Sequence, residues 1–190
     1  MRSFAALLIT LCLATVALAA EPRSGLQVGD DVLPFTSNVV TGPNRGQQHC
    51  YVCELKADQP AILVFARGTD PATAKLMVGL RDTVRRHAGA NLFGWFVFLG
   101  GKSTAAQLEL EKTAEAFTRK NAATRLAVTY LGDPAGPPGY RIAPDAVVTL
   151  LMFRGGLQGH VLANKAYSTA TWNMKAAQEA LSDLTPLALR

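Results

Sequence analysis

The chain has 190 residues, 49% of them hydrophobic and 17% charged, with a formal net charge of +5. That length suits one domain with a real core. The charges are scattered and of both signs, which excludes the dense basic stripe with interleaved aromatics of a nucleic-acid interface; the run Arg81, Arg85, Arg86, His87 reads as one solvated helix face.

Residues 1–20 read as a secretory leader. Arg2 supplies the positive start, Phe4 to Leu18 are apolar apart from Thr10 and Thr15, and Ala17-Leu18-Ala19 forms a small-x-small cleavage site, with the cut after Ala19 or Ala20. The apolar run is short for a membrane span, and no later stretch is long and apolar enough to make one. Cleavage removes Cys12 and leaves Cys50 and Cys53 as the remaining thiols. The expected location is periplasmic or secreted, an oxidising compartment where disulfides persist.

Residues 21–60 form a turn-rich N-terminal extension that carries the C-x-x-C pair, with Val32 to Phe35 and Asn38 to Thr41 as short edge strands. The core is expected over 61–185. Ala61 to Ala66 is a continuous apolar run between Pro60 and Gly68, which suits a strand buried on both faces. Thr69-Asp70-Pro71 offers an N-cap and a first-turn proline for a helix reaching about Ala88, with Leu76, Leu80 and Val84 inward. Leu92 to Leu99 is a second buried strand. Ser103 or Thr104 caps a second helix to about Asn121, with Ala106, Leu110, Ala114 and Phe117 on one face.

Leu126 to Leu131 is a third strand, and residues 132–139 are too rich in Gly and Pro to be anything but loop. Ala146 to Phe153 is a fourth strand. Gly155-Gly156 makes a tight hairpin to Leu157–Asn164. A last helix spans about Thr171 to Leu184, with Met174, Ala177, Leu181 and Leu184 inward. Strands alternating with helices imply an α/β domain: a three-layer α/β/α sandwich around a mixed, mostly parallel sheet, closed by a hairpin and a helix.

With these elements the chain resembles the thioredoxin-like superfamily from about Leu26 to Leu184. Val28-Gly29-Asp30 with Pro34-Phe35 is similar to the start of peroxiredoxins of the alkyl hydroperoxide reductase and thiol-specific antioxidant type. Val147 to Gly156 is similar to the thioredoxin strand and turn that carry a cis-proline and a threonine. The resemblance implies a reactive cysteine just after the first core strand, where a helix N-terminus lowers a thiol pKa. That stretch reads Ala66-Arg67-Gly68-Thr69-Asp70-Pro71-Ala72-Thr73 and holds no cysteine, and the hydroxyls of Thr69 and Thr73 do not replace a thiolate. The cis-proline position holds Val148; Pro144, four residues earlier, reads as a loop or strand-entry proline, with a cis Ala143–Pro144 bond as the alternative.

The chemistry therefore falls to Cys50 and Cys53, the expected catalytic residues if the protein is a thiol–disulfide oxidoreductase. Their spacing fits an exchanging couple, a small structural disulfide or part of a metal site. Cys50 is favoured as attacker because adjacent His49 would lower its pKa when protonated. A metal would need His49, Cys50, Cys53 and His160 together, and adjacent His49 and Cys50 rarely share one ion. Glu54 stands where haem attachment needs a histidine, and no cofactor is expected. The expected partner is a protein disulfide or dithiol. The alternative is a non-catalytic binding or structural protein in which the pair is only a staple; a peroxidase is a third reading. His87 is expected at the helix C-terminus, Arg67 in a salt bridge, Trp95 and Phe98 in the core, and Trp172 packed at the start of the last helix.

Overall fold

The computed structural model describes residues 21–42, 44–155 and 159–188. The leader reading of residues 1–20 and the expected Gly156 turn lie outside them. The strands are β1 (Ser37–Thr41), β2 (Gln48–His49), β3 (Pro60–Ala66), β4 (Phe93–Leu99), β5 (Ala127–Leu131), β6 (Ala146–Arg154) and β7 (Val161–Ser168). The helices are α1 (Tyr51–Glu54), α2 (Pro71–Arg86), α3 (Thr104–Lys120) and α4 (Met174–Ala188). All the strands join one mixed sheet in the order β2-β1-β5-β4-β3-β6-β7.

The centre of the sheet follows directly from sequence. Every residue of β3 is buried, because β3 pairs parallel to β4 on one side and antiparallel to β6 on the other, and both of its faces are covered. From β3 to β4 to β5 the chain steps in one direction across the sheet. Right-handed crossovers then place α2 and α3 on the same face. α4 returns to that face beside α2, so close that a side chain at Gly79 would overlap Leu181.

The opposite face carries Leu63, Phe65, Trp95, Val97, Leu151 and Phe153. No long helix covers it among the described residues. The third layer is made instead by Leu26, Val32 and Phe35 of the lead-in, Tyr51 and Leu55 at α1, and Tyr140 and Ile142 of the loop after β5. Tyr140 is fully buried there, donates its hydroxyl to Leu33 O (2.7 Å) and stacks edge-on against Phe35 and Phe65.

Several expectations are corrected. Residues 32–35 form no strand; the lead-in instead bonds the start of β7, with Asp31 bridging His160 and the Val161 main chain bonded to Gly29 and Asp30. Among the described residues, the strand expected over 157–164 runs Val161–Ser168. β1 is not an edge strand, since the two-residue β2 lies outside it. The last helix begins at Met174 rather than Thr171, because Asn173 Oδ1 caps the N–H groups of Lys175 and Ala176, and this turns Met174 outward at 51% exposure. No cis peptide occurs among the described residues, and Pro144 leads into β6 as the strand-entry reading expected.

Candidate functional site

Cys50 and Cys53 form a disulfide, with Cα atoms 5.4 Å apart. Cys50 is the N-cap of the single-turn helix α1, and its Sγ accepts from the Cys53 N–H at 3.2 Å. Cys53 is exposed, while Cys50 is half-buried. Tyr51 and Leu55, on either side of Cys53, point inward, while Glu54 is exposed. Tyr51 packs on His49, Phe93 and Trp95 with ring centroids 4.6, 5.4 and 6.2 Å away. Burial, aided by the charge of Glu54, raises the Tyr51 phenol above its usual value, so it stays neutral. His49 Nε2 lies 3.0 Å from Glu54 Oε2, off the line of an aligned hydrogen bond, which makes it a charge contact when the ring is protonated. His160, the fourth group that a metal reading would need, sits in the Asp31 bridge at the start of β7, and the described residues hold no cluster of metal-ligating groups.

The pair lies at the base of the parallel strands. Leu55, just after α1, packs where a side chain on Gly155 would collide with it, and Gly155 bonds Asp58 and Gln59 at the start of β3. Arg67, Thr69 and Val148 lie at the other end of β3, whose register runs from Pro60↔Arg154 to Ala66↔Val148. Seven residues of strand separate the two ends by about 20 Å.

At that far corner the start of α2 is already satisfied. Asp70 Oδ1 accepts the N–H groups of Ala72 (2.9 Å) and Thr73 (3.1 Å), and its Oδ2 accepts the Thr73 hydroxyl at 2.7 Å. Thr73 is fully buried, and its oxygen also accepts from Trp172 Nε1 at 3.2 Å. A carboxylate thus occupies the place where the resemblance implied a thiolate, and the hydroxyl beside it cannot be reached. Partial burial pushes the Asp70 carboxyl up, but its hydrogen bonds together outweigh that and hold it below the usual range. Its stabilising contribution is therefore present above about pH 4 and is lost as pH falls through the lower folded-state value. Asp70→Ala is expected to cost about 1 kcal/mol near neutral pH, and the gap between variant and parent should close as denaturation is repeated at falling pH. A gap independent of pH would contradict the cap's charge.

Arg67 is corrected from the expected salt bridge. Its guanidinium donates to three main-chain carbonyls, Ala146 O (2.8 Å), Pro134 O (2.5 Å) and Ala143 O (3.1 Å). These bonds clamp the breaker-rich loop onto the end of β3.

No family model matches the sequence, and no curated protein is similar to it in sequence. Solved structures do match. A Chlorobium tepidum protein assigned as the thiol:disulfide interchange protein DsbE aligns with a TM-score of 0.59 at 18% identity, over 87% of this chain and 99% of that one. A Bacteroides thetaiotaomicron protein assigned as a protein disulfide isomerase gives 0.61 at 12% identity, over 87% and 93%. The peroxidoxin BcpB of Mycobacterium tuberculosis gives 0.55 at 16%, over 85% and 97%. The fold is thioredoxin-like. This thioredoxin-like chain carries no thiol at the start of α2 and holds its disulfide beside α1, whose flanking Leu55 packs at the other end of β3.

Sequence alone pointed to the pair and to the Asp70 cap. It missed Trp172 as the donor that closes the corner, since 99 residues separate it from Thr73. The His49–Glu54 contact was within reach, because only one helical turn separates the two residues.

Proposed function

We propose that this is an exported thioredoxin-fold protein that exchanges disulfides with a protein partner through Cys50 and Cys53. The observation that carries the reading is the disulfide itself, closed within one surface turn, with Cys53 open to an incoming sulfur. On this reading Cys53, the more exposed of the two, attacks in place of Cys50. In the reduced protein the Cys53 thiolate attacks a partner disulfide and releases one partner thiolate. The half-buried Cys50 thiolate then attacks Cys53 Sγ, restoring the internal disulfide and releasing the second partner thiolate. Two electrons pass from the dithiol to the partner, and an external dithiol reductant resets the pair.

Insulin reduction in the presence of dithiothreitol tests this. Turnover is expected above the dithiothreitol background. Cys53→Ser should abolish it, and Cys50→Ser should trap a mixed disulfide on Cys53. Background rates in the parent protein would defeat the proposal.

A second reading is favoured by the position of the pair. Tyr51 and Leu55 are anchored in the core on either side of Cys53, at the end of the sheet away from the α2 corner. On that reading the disulfide staples α1 beneath the sheet. It then shows no turnover and a very low reduction potential, and reduction costs about 2 kcal/mol, as expected for so short a ring. Peroxide consumption is not expected on either reading, because Asp70 fills the α2 start.

A further inference from the structure

The basic face of α2 does not simply face solvent. Beside it opens a cavity of about 510 Å³ between the last turns of α2 and the connection from α3 to β5. Arg81 and Arg85 reach it from α2, and Arg125 reaches it from the connection. Its floor is apolar, with Val84 and the buried Leu126.

The three guanidinium groups are held differently. Arg81 donates through Nη1 to Asn121 O (3.3 Å) and Ala122 O (3.0 Å), and its Nη2 lies 2.8 Å from Asp82 Oδ1. It ties the connection to α2 and is fixed in place. Arg85 is mostly exposed and stands 3.7 Å from the same carboxylate oxygen. Arg125 is exposed and has no hydrogen bond or ion pair among the described residues. Asp82 therefore pairs with Arg81 and Arg85 but not with Arg125, and the cations around the hollow outnumber the carboxylate that pairs with them. Like charges brought together in this way repel unless an anion joins them, and the planar forks of arginine suit phosphate and carboxylate oxygens. A concave apolar wall with a few converging polar groups is the usual form of a small-ligand site.

We propose that this cavity binds a small organic anion, a phosphate or carboxylate that carries a compact apolar group. Arg85 and Arg125 grip the anionic head from two sides, and the apolar group rests on Val84 and Leu126. The site is independent of the cysteine pair.

Amide NMR of the full chain titrated with phenyl phosphate tests this. Saturable shifts are expected over residues 84–88 and 122–126. Arg125→Ala and Arg85→Ala should each weaken binding at least about tenfold. Arg141→Ala, whose side chain pairs with Asp30, should leave it unchanged. Inorganic phosphate should bind about tenfold more weakly than phenyl phosphate, for want of the apolar contact. No saturation by about 10 mM, an Arg125→Ala variant that binds like the parent, or equal binding of the two phosphates would overturn the proposal.

Discussion

Replacing Trp95 with alanine is expected to lower the free energy of unfolding by about 3–5 kcal/mol. The side chain is fully buried in β4, on the sheet face that lacks a long helix, with Phe93, Phe153 and Tyr51 rings 5.5, 5.8 and 6.2 Å away. Removing the indole leaves a cavity beneath a layer made of α1 and loops. The strands beside Trp95 are held on both sides and cannot close the gap. Against a total stability of about 5–15 kcal/mol for an ordinary domain, this is a large fraction. Trp95 Nε1 is buried without an acceptor among the described residues, so Trp95→Phe should cost much less, because it removes an unsatisfied donor along with some volume. Urea denaturation of both variants checks this. A loss below about 1 kcal/mol in Trp95→Ala would show that the second face repacks freely.

Arg67→Ala is expected to cost about 2–4 kcal/mol, since three carbonyls lose a charged donor together. Residues 132–145 contain no regular element, and their order rests on that fork and on Tyr140 in the core. Hydrogen exchange should therefore quicken first at Tyr140 and Ala146, whose N–H groups bond Pro137 O and Ala143 O within the clamped loop. Arg67→Lys should recover less than half of the loss, because one ammonium cannot reach three carbonyls spread around a planar fork. Full rescue by lysine would mean that charge, and not geometry, holds the loop.

The same two residues show how unevenly the fold could be read beforehand. Trp95 lies in an apolar run with strand formers on both sides, and its burial follows from that pattern alone. Arg67 is one polar residue after a strand, and nothing local distinguishes a salt bridge from three main-chain acceptors supplied 67 to 79 residues later. The start of β7 was misplaced for a related reason. The apolar residues of 157–164 suit a strand, but pairing with β6 runs on to Ser168, and nothing local signals that the lead-in, more than 120 residues earlier, bonds Val161 on its other edge.

The α/β class, the central buried strands, the capped start of α2 and a C-x-x-C pair able to close a disulfide are legible in the residues themselves. Each of these depends on residues close together in the chain: apolar runs, caps and a spacing of three. What those features face was set by long-range packing. It put all three long helices on one side of the sheet, left the other side to α1 and loops, and set the disulfide at the base of the sheet while Asp70, Thr73 and Trp172 close the opposite corner. It also brought Arg125 to the basic face of α2 across a cavity. Contacts between distant parts of the chain carry no local signature, because they depend on strand order and crossover hand rather than on neighbouring residues.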